Sequence, residues 1–193
     1  MVRLNRIYTR TGDSGETGLA DGSRIAKDHA LAQAIGDVDE ANSAIGIAVL
    51  HAGPAHREML RRIQNEMFDL GADLATPGED FAPSATALRI VAAQIGRLEA
   101  EIDAMNEALA PLRSFILPGG GGGAAYIHLA RATVRRAERS AVAAARGVAL
   151  NPLALVYLNR LSDHLFVMAR AAAAAEGGDI LWTPGATRDH SSR

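Results

Sequence analysis

The sequence contains no cysteine, and that single absence removes disulfides, thiolate nucleophiles and thiolate-bound metals. Whatever fold forms must be held by packing alone. Aromatic side chains are also scarce, at 4 % of residues, although apolar residues reach 48 %, with alanine supplying runs such as AVAAAR and ARAAAAAE. Alanine loses no side-chain entropy in a helix, so this composition favours closely packed helices over sheets. No apolar run approaches the ~20 residues needed to span a bilayer. The first residues carry no hydrophobic segment of the secretory kind either, so no membrane partner and a cytoplasmic location are expected. Charge of either sign is not in excess: the formal net charge is −2, without a long basic tract. This argues against a general nucleic-acid binder and makes any anion site local.

What is present is helical periodicity in 193 residues, most simply one domain spanning 1–193. Leu31, Ala34, Ile35, Val38, Ile45 and Val49 predict a first helix from Lys27 to about His51, closed by Gly53-Pro54. A second, from about Ala55 to Ala75, carries Leu60, Ile63, Met67, Leu70 and Leu74 and stops at Thr76-Pro77-Gly78. Ser84 is a candidate N-cap for a third that reaches about Leu109, before Pro111. The fourth runs from Ala124 to about Arg146, and Asn151-Pro152 opens a fifth that ends near Gly177-Gly178. Short connections and almost no strand signal predict an all-α, antiparallel five-helix bundle over 27–177. Residues 1–26 form an N-terminal arm, and 178–193 a partly ordered tail. A ferritin-like metal core would suit such a bundle, but the chain has no Glu-x-x-His and no His-x-x-x-His, so no metal ligand is assigned.

Several polar groups are hard to explain by packing. In YIHLARATVRRAERSAV the apolar face is Ile127, Ala130, Val134, Ala137 and Ala141, flanked by a stripe of Arg131, Arg135, Glu138 and Arg139. Arginines four apart on a helix repel by a few tenths of a kcal/mol. Either an anion compensates them, or the stripe is a solvated face with Glu138 pairing locally. In IGDVDEANSAIG, Asn42 falls within the apolar arc, as a structural asparagine would, with Asp39 and Gly46 at its edge. Asp39 is a natural partner for a stray arginine, within the subunit or across an interface. The fifth helix has its core stripe, Tyr157, Leu158, Leu161, Leu165 and Met168, and a second, mixed strip of Leu155, Asn159, Ser162, Asp163 and Phe166. A helix used on both sides suggests an oligomer or a ligand cleft.

Two glycine-rich stretches remain. PGGGGGAA has a nominal G-x-G-x-x-A pattern but no βαβ unit around it, so it is better taken as a turn into the fourth helix whose amides face an anion. YTRTGDSGETGLADGSR lacks the Walker pattern. Even so, it offers converging amides at Gly12, Gly15 and Gly18, hydroxyls on Thr9, Thr11 and Thr17, and the charges of Arg10 and Lys27. These are the ingredients of a polyphosphate cradle.

Taken in order and spacing, YTRTGDSGETGL with Lys27-Asp28, GDVDEANSAIG, FILPGG, HLARATVRRAER and YLNRLSDHLFVMAR resemble the PduO-type ATP:cob(I)alamin adenosyltransferases over nearly the whole chain. The resemblance implies a five-helix bundle assembled as a homotrimer, with ATP, magnesium and cobalamin bound at subunit interfaces. It implies transfer of the 5′-deoxyadenosyl group of ATP to the cobalt of cob(I)alamin, with release of triphosphate. By the same resemblance Thr9, Arg10, Thr11, Gly12, Thr17, Gly18 and Lys27 wrap the triphosphate, and Arg131, Arg135, Arg136, Glu138 and Arg139 hold the nucleotide. Asp39 orients an arginine across the interface, Asn159 lies near the adenosine, Phe115 occupies the lower axial side of the corrin and Phe166 faces it. Catalytic weight falls on Arg131, Arg135, Asp39 and Phe115. The family often has lysine where this chain has Ser14, which removes one expected triphosphate contact. A cob(II)alamin reductase and an adenosylcobalamin-dependent client enzyme are implied partners. The alternatives are a non-catalytic nucleotide- or cobalamin-binding bundle that carries a cofactor, and a purely structural oligomer that would leave TRTGD and RRAER unexplained.

Overall fold

The computed structural model describes residues 8–76, 78–84 and 87–188. Among them run a short antiparallel hairpin, β1 (Glu16–Gly18) and β2 (Arg24–Ala26), and then five helices. These are α1 (Ala30–His51), α2 (Pro54–Leu74), α3 (Ala92–Asn106), α4 (Ala124–Ala144) and α5 (Pro152–Ala174). The chain is a helical bundle, as its periodicity predicts. α1 lies between α2 and α4, α4 packs on α5, and α5 carries α3 on its other side while touching α2.

The alanines explain the closest of these contacts. Ala34, Ala41 and Ala48 of α1, like Ala130, Ala137 and Ala141 of α4, are completely buried, so the two helices approach without bulky side chains between them. Leu60, Ile63, Leu70, Ile127, Leu158, Leu161 and Leu165 fill the rest of the core. Each such side chain contributes about 1.5–3 kcal/mol on leaving water. None of the helices is long and apolar enough to cross a membrane, among the described residues.

The starts of two helices differ from the sequence expectation. α1 starts at Ala30 rather than Lys27, because Arg24–Ala26 is held in β2 and the Lys27 amide donates to the Gly15 carbonyl (2.8 Å). His29 caps the helix, its Nδ1 accepting from the Leu31 amide. α3 is shorter still: Ser84 does not cap it, but accepts instead from the Ala87 amide. The chain up to Val91 stays irregular because Arg89, buried with Asp73, also donates to the carbonyls of Thr76 and Asp80, while the Ile90 amide donates to Asp73. The helix begins only where Gln94 folds back to accept from the Val91 amide (2.9 Å).

The tail is also more ordered than expected. Ile116 bridges Leu181, the Leu117 amide donates to the Ile180 carbonyl (2.8 Å) and the Trp182 amide to the Phe115 carbonyl (2.8 Å). Residues 115–117 and 180–182 thus form a small ladder at one end of the bundle.

Candidate functional site

The arm is folded, not loose. Arg24 donates to the Thr11 carbonyl (2.7 Å) and pairs with Glu16, Thr9 and Thr11 share a hydroxyl hydrogen bond (2.9 Å), and the Ala20 amide donates to the Ala75 carbonyl at the end of α2. Gly12 lets the Lys27 ammonium come close to the loop, since a Cβ there would lie 3.2 Å from Lys27 Nζ. Arg10 takes a left-handed φ of 62°, an unfavourable backbone for a residue with a side chain. Thr9, Arg10, Thr11, Gly12 and Lys27 are thereby gathered into one loop, with Thr17 and Gly18 on the adjoining strand.

Thr17 and Gly18 also line a cavity of about 480 Å³ between arm, α1 and α2. Its walls are mostly apolar, with Val38, Met67 and Phe68, and its polar contributions come from Asp39 and Asn42. Asn42 is the structural asparagine foreseen from the sequence: its amide donates to the Gln64 carbonyl, and Gln64 donates back to the Asn42 carbonyl. Gly46 lies where that glutamine crosses, a Cβ there falling 3.0 Å from Gln64 Nε2. The Asn42 Oδ1 is buried with no hydrogen-bond partner. Asp39 is exposed and makes no ion pair among the described residues.

On α4 the stripe divides. Arg136 turns toward α1, where it pairs with Glu40 and lies 3.7 Å from the buried Asp37. Asp37 also accepts from Gln33 and Ser140, so it fastens α1 to α4, a role the sequence reading missed. Glu138 accepts from Asn159 (2.9 Å), which brings those two predicted residues together across α4 and α5. Arg135 and Arg139 remain exposed, and neither they nor Arg131 pair with a carboxylate among the described residues. Burial first, and the Arg135 charge second, pull the Arg131 guanidinium below its ordinary pKa. Its Nε is buried without a partner, and its Cζ lies 5.8 Å from the Phe166 ring centre.

Arg131 and Phe166 border a second cavity, of about 740 Å³, closed on its far side by the ladder. Phe115 is 78 % exposed there, with Trp182 packed edge-on at 6.0 Å. His128 meets Phe166 edge-on at 6.3 Å, and burial, reinforced by the Arg131 charge, lowers its pKa. Trp182 and Pro184 also line this cavity. Sequence reasoning missed them because their position depends on a pairing that spans more than sixty residues. The glycine turn is corrected too: the Gly122 amide faces an anion, but that anion is the chain's own Glu176 carboxylate (2.7 Å).

Neither of these two cavities collects all the predicted residues: Asp39, Thr17 and Gly18 border one, Arg131, Phe115 and Phe166 the other, and the other predicted residues of the arm and stripe line neither.

The family model for cobalamin adenosyltransferase matches residues 7–172. The chain belongs to that family. A corrinoid adenosyltransferase of Mycobacterium bovis is 50 % identical, over 98 % of this chain and 99 % of the relative. One from Bacillus subtilis is 40 % identical over 91 % of each. Among solved structures, a phenylalanine-to-alanine variant of a PduO-type ATP:corrinoid adenosyltransferase from Lactobacillus reuteri, complexed with cobalamin and ATP, superposes with a TM-score of 0.85. It is 35 % identical and covers 92 % of this chain and 99 % of its own. An arginine-to-lysine variant of the same kind, complexed with ATP, gives a TM-score of 0.83 at 34 % identity, covering 92 % of this chain. This member of the cobalamin adenosyltransferase family therefore has an ordered arm and an open, cationic and aromatic end cavity on one bundle.

Proposed function

We propose that the chain transfers the 5′-deoxyadenosyl group of ATP to the cobalt of cob(I)alamin. The observation that carries this reading, in a chain of this family, is Phe115: a large apolar ring 78 % exposed, at the mouth of a cavity that also holds Arg131. Exposing such a ring is unfavourable in water and makes sense against a flat apolar ligand. The corrin lies over this cavity with Phe115 on its lower axial side, excluding both the base and water, and Phe166 behind it.

Cob(I)alamin is itself a strong nucleophile. Cobalt forms a bond to C5′, the C5′–O bond breaks, and its electron pair leaves with triphosphate. The protein's task is then alignment and stabilisation of the leaving charge. Arg131, Arg135 and Arg139 are cations without a counterion among the described residues, and Thr9 to Gly12, Thr17, Gly18 and Lys27 wrap the phosphates. Arg136 is already compensated by Asp37 and Glu40 and supports the site by holding α4. Glu138 and Asn159, bonded to each other, border the adenosine. Magnesium would come with the nucleotide and would supply positive charge to the leaving triphosphate; the described residues contain no cluster of three or more ligand side chains.

The division of the predicted residues between two cavities supports a homotrimer with sites between subunits, in which the unpaired Asp39 of one copy meets an arginine of α4 on the next. Cytoplasmic location, a reductase that supplies cob(I)alamin and an enzyme that consumes adenosylcobalamin belong to the same reading.

The test is anaerobic: protein, ATP and magnesium are added to chemically reduced cob(I)alamin, and its absorbance is followed. Loss of the cob(I)alamin band with appearance of light-sensitive adenosylcobalamin is expected. Binding of ATP and corrinoid without conversion would instead make the chain a cofactor carrier.

A further inference from the structure

Arg170 lies one turn after Phe166 on α5 and is only 7 % exposed. A guanidinium keeps its charge at any ordinary pH, so burying it demands partners. It has two. Nε donates to Asp179 Oδ2 (2.9 Å), and Nη2 donates to the Ala110 carbonyl (2.7 Å).

These acceptors are far apart in sequence, and each lies ahead of one strand of the ladder. Asp179 immediately precedes Ile180, where the tail joins the ladder; Ala110 leads through Pro111 into the segment that carries Phe115. One planar fork therefore holds the segments that lead into both strands and ties them to the helix that presents Phe166. Among the described residues, the ladder's own ties are its two backbone bonds, the Ser114 hydroxyl on the Trp182 carbonyl (2.9 Å) and the Phe115–Trp182 edge contact, while Phe115, Ile180, Leu181 and Trp182 are all exposed. Arg170 itself does not line the cavity.

We infer that Arg170 is a positioning residue: its fork sets the height of the Phe115 and Trp182 ladder over the cavity, and so decides how completely the lower face of a bound corrin is sealed. This rests on the role proposed above for Phe115. A lysine at 170 keeps the charge but, as a compact point charge, loses the fixed fork that serves both strands at once.

The experiment measures the four-coordinate fraction of cob(II)alamin bound to the full chain with ATP and magnesium, by electron paramagnetic resonance, for wild type, Arg170→Lys, Asp179→Asn and Phe115→Ala. Corrinoid KM, ATP KM and Tm are measured alongside. Arg170→Lys and Asp179→Asn are expected to lower the four-coordinate fraction severalfold and to raise the corrinoid KM by roughly tenfold, less than the ~10²-fold that a 1 Å misplacement can cost, with the ATP KM unchanged. A wild-type fraction in both variants, while Phe115→Ala lowers it, would overturn the inference and leave the Phe115 role intact. An unchanged fraction in Phe115→Ala would overturn both. Equal rises in both KM values with a lowered Tm would reduce Arg170 to general support and also overturn it.

Discussion

Where α2, α3 and α5 meet, buried charge is answered by charge. Glu66 accepts from the Tyr157 hydroxyl (2.8 Å) and from Arg97; Glu101 pairs with Arg62 and with His164 Nε2 (2.8 Å). Asp73 receives Arg89, the Ile90 amide and Asn151. Along the outer stripe of α4 the reverse holds: Arg131, Arg135 and Arg139 have no carboxylate partner among the described residues. The same chain that closes its polar networks with buried pairs leaves these cations open. A cation left uncompensated beside others of its own sign is a binding surface in waiting, whereas a compensated one is scaffold.

Exchanging the two kinds of arginine tests this contrast most strongly. Arg89→Met leaves Asp73 buried without its counterion, and unfolding free energy in urea should fall by about 3–5 kcal/mol. Arg135→Ala should leave that free energy within about 0.5 kcal/mol of wild type while lowering kcat/KM for adenosyl transfer by about 10²–10³. A large stability loss there, with turnover retained, would erase the distinction.

Acid should loosen the paired flank. Burial pushes the Glu101 carboxyl up, but the His164 hydrogen bond and the charges of His164, Arg62 and Arg97 outweigh it, leaving its pKa below the ordinary 4.5. Its stabilisation is present above that value and is lost as pH falls through the lowered one. His56, lowered from 6.5 by burial and then by the His164 charge, acts in the same direction: stability is full above 6.5 and declines as pH drops through its folded pKa. Tm measured from pH 8 to 2 should therefore fall in two steps, the first reduced by His56→Gln and the second by Glu101→Gln. The smallest effect sharpens the open side. Ser14→Lys adds one exposed cation to the arm and should lower the ATP KM about two- to fivefold, the range of a solvated ion pair.

Much of this organisation was readable in the residues themselves. Ile127, Ala130, Val134, Ala137 and Ala141 repeat at helical spacing, and all five are buried. Asn42 in an apolar arc announced its helix crossing. What escaped was decided by partners distant in the chain. Ser84 looks like a cap, but Asp73, eleven residues earlier, draws Arg89 and Ile90 out of helical geometry. The three-residue strands β1 and β2 are too short for any alternation to register. Asp37 differs from Asp39 only by the helix face it occupies, and resolving which one meets α4 requires the packing of α1 against it. Trp182 has no local signature at all, since its place is given by the ladder.

That ladder also fixes an order of manufacture. Residues 115–117 leave the ribosome before α4 and α5, yet the strand they pair with, 180–182, follows both helices. Phe115 therefore waits for its partner strand until both of those helices have been made, and the aromatic platform is completed after the segments that build the bundle. A chain interrupted between α5 and Ile180 would hold every helix of the bundle with its aromatic platform unassembled, so the stretch that completes the platform is separate from the stretches that make the core.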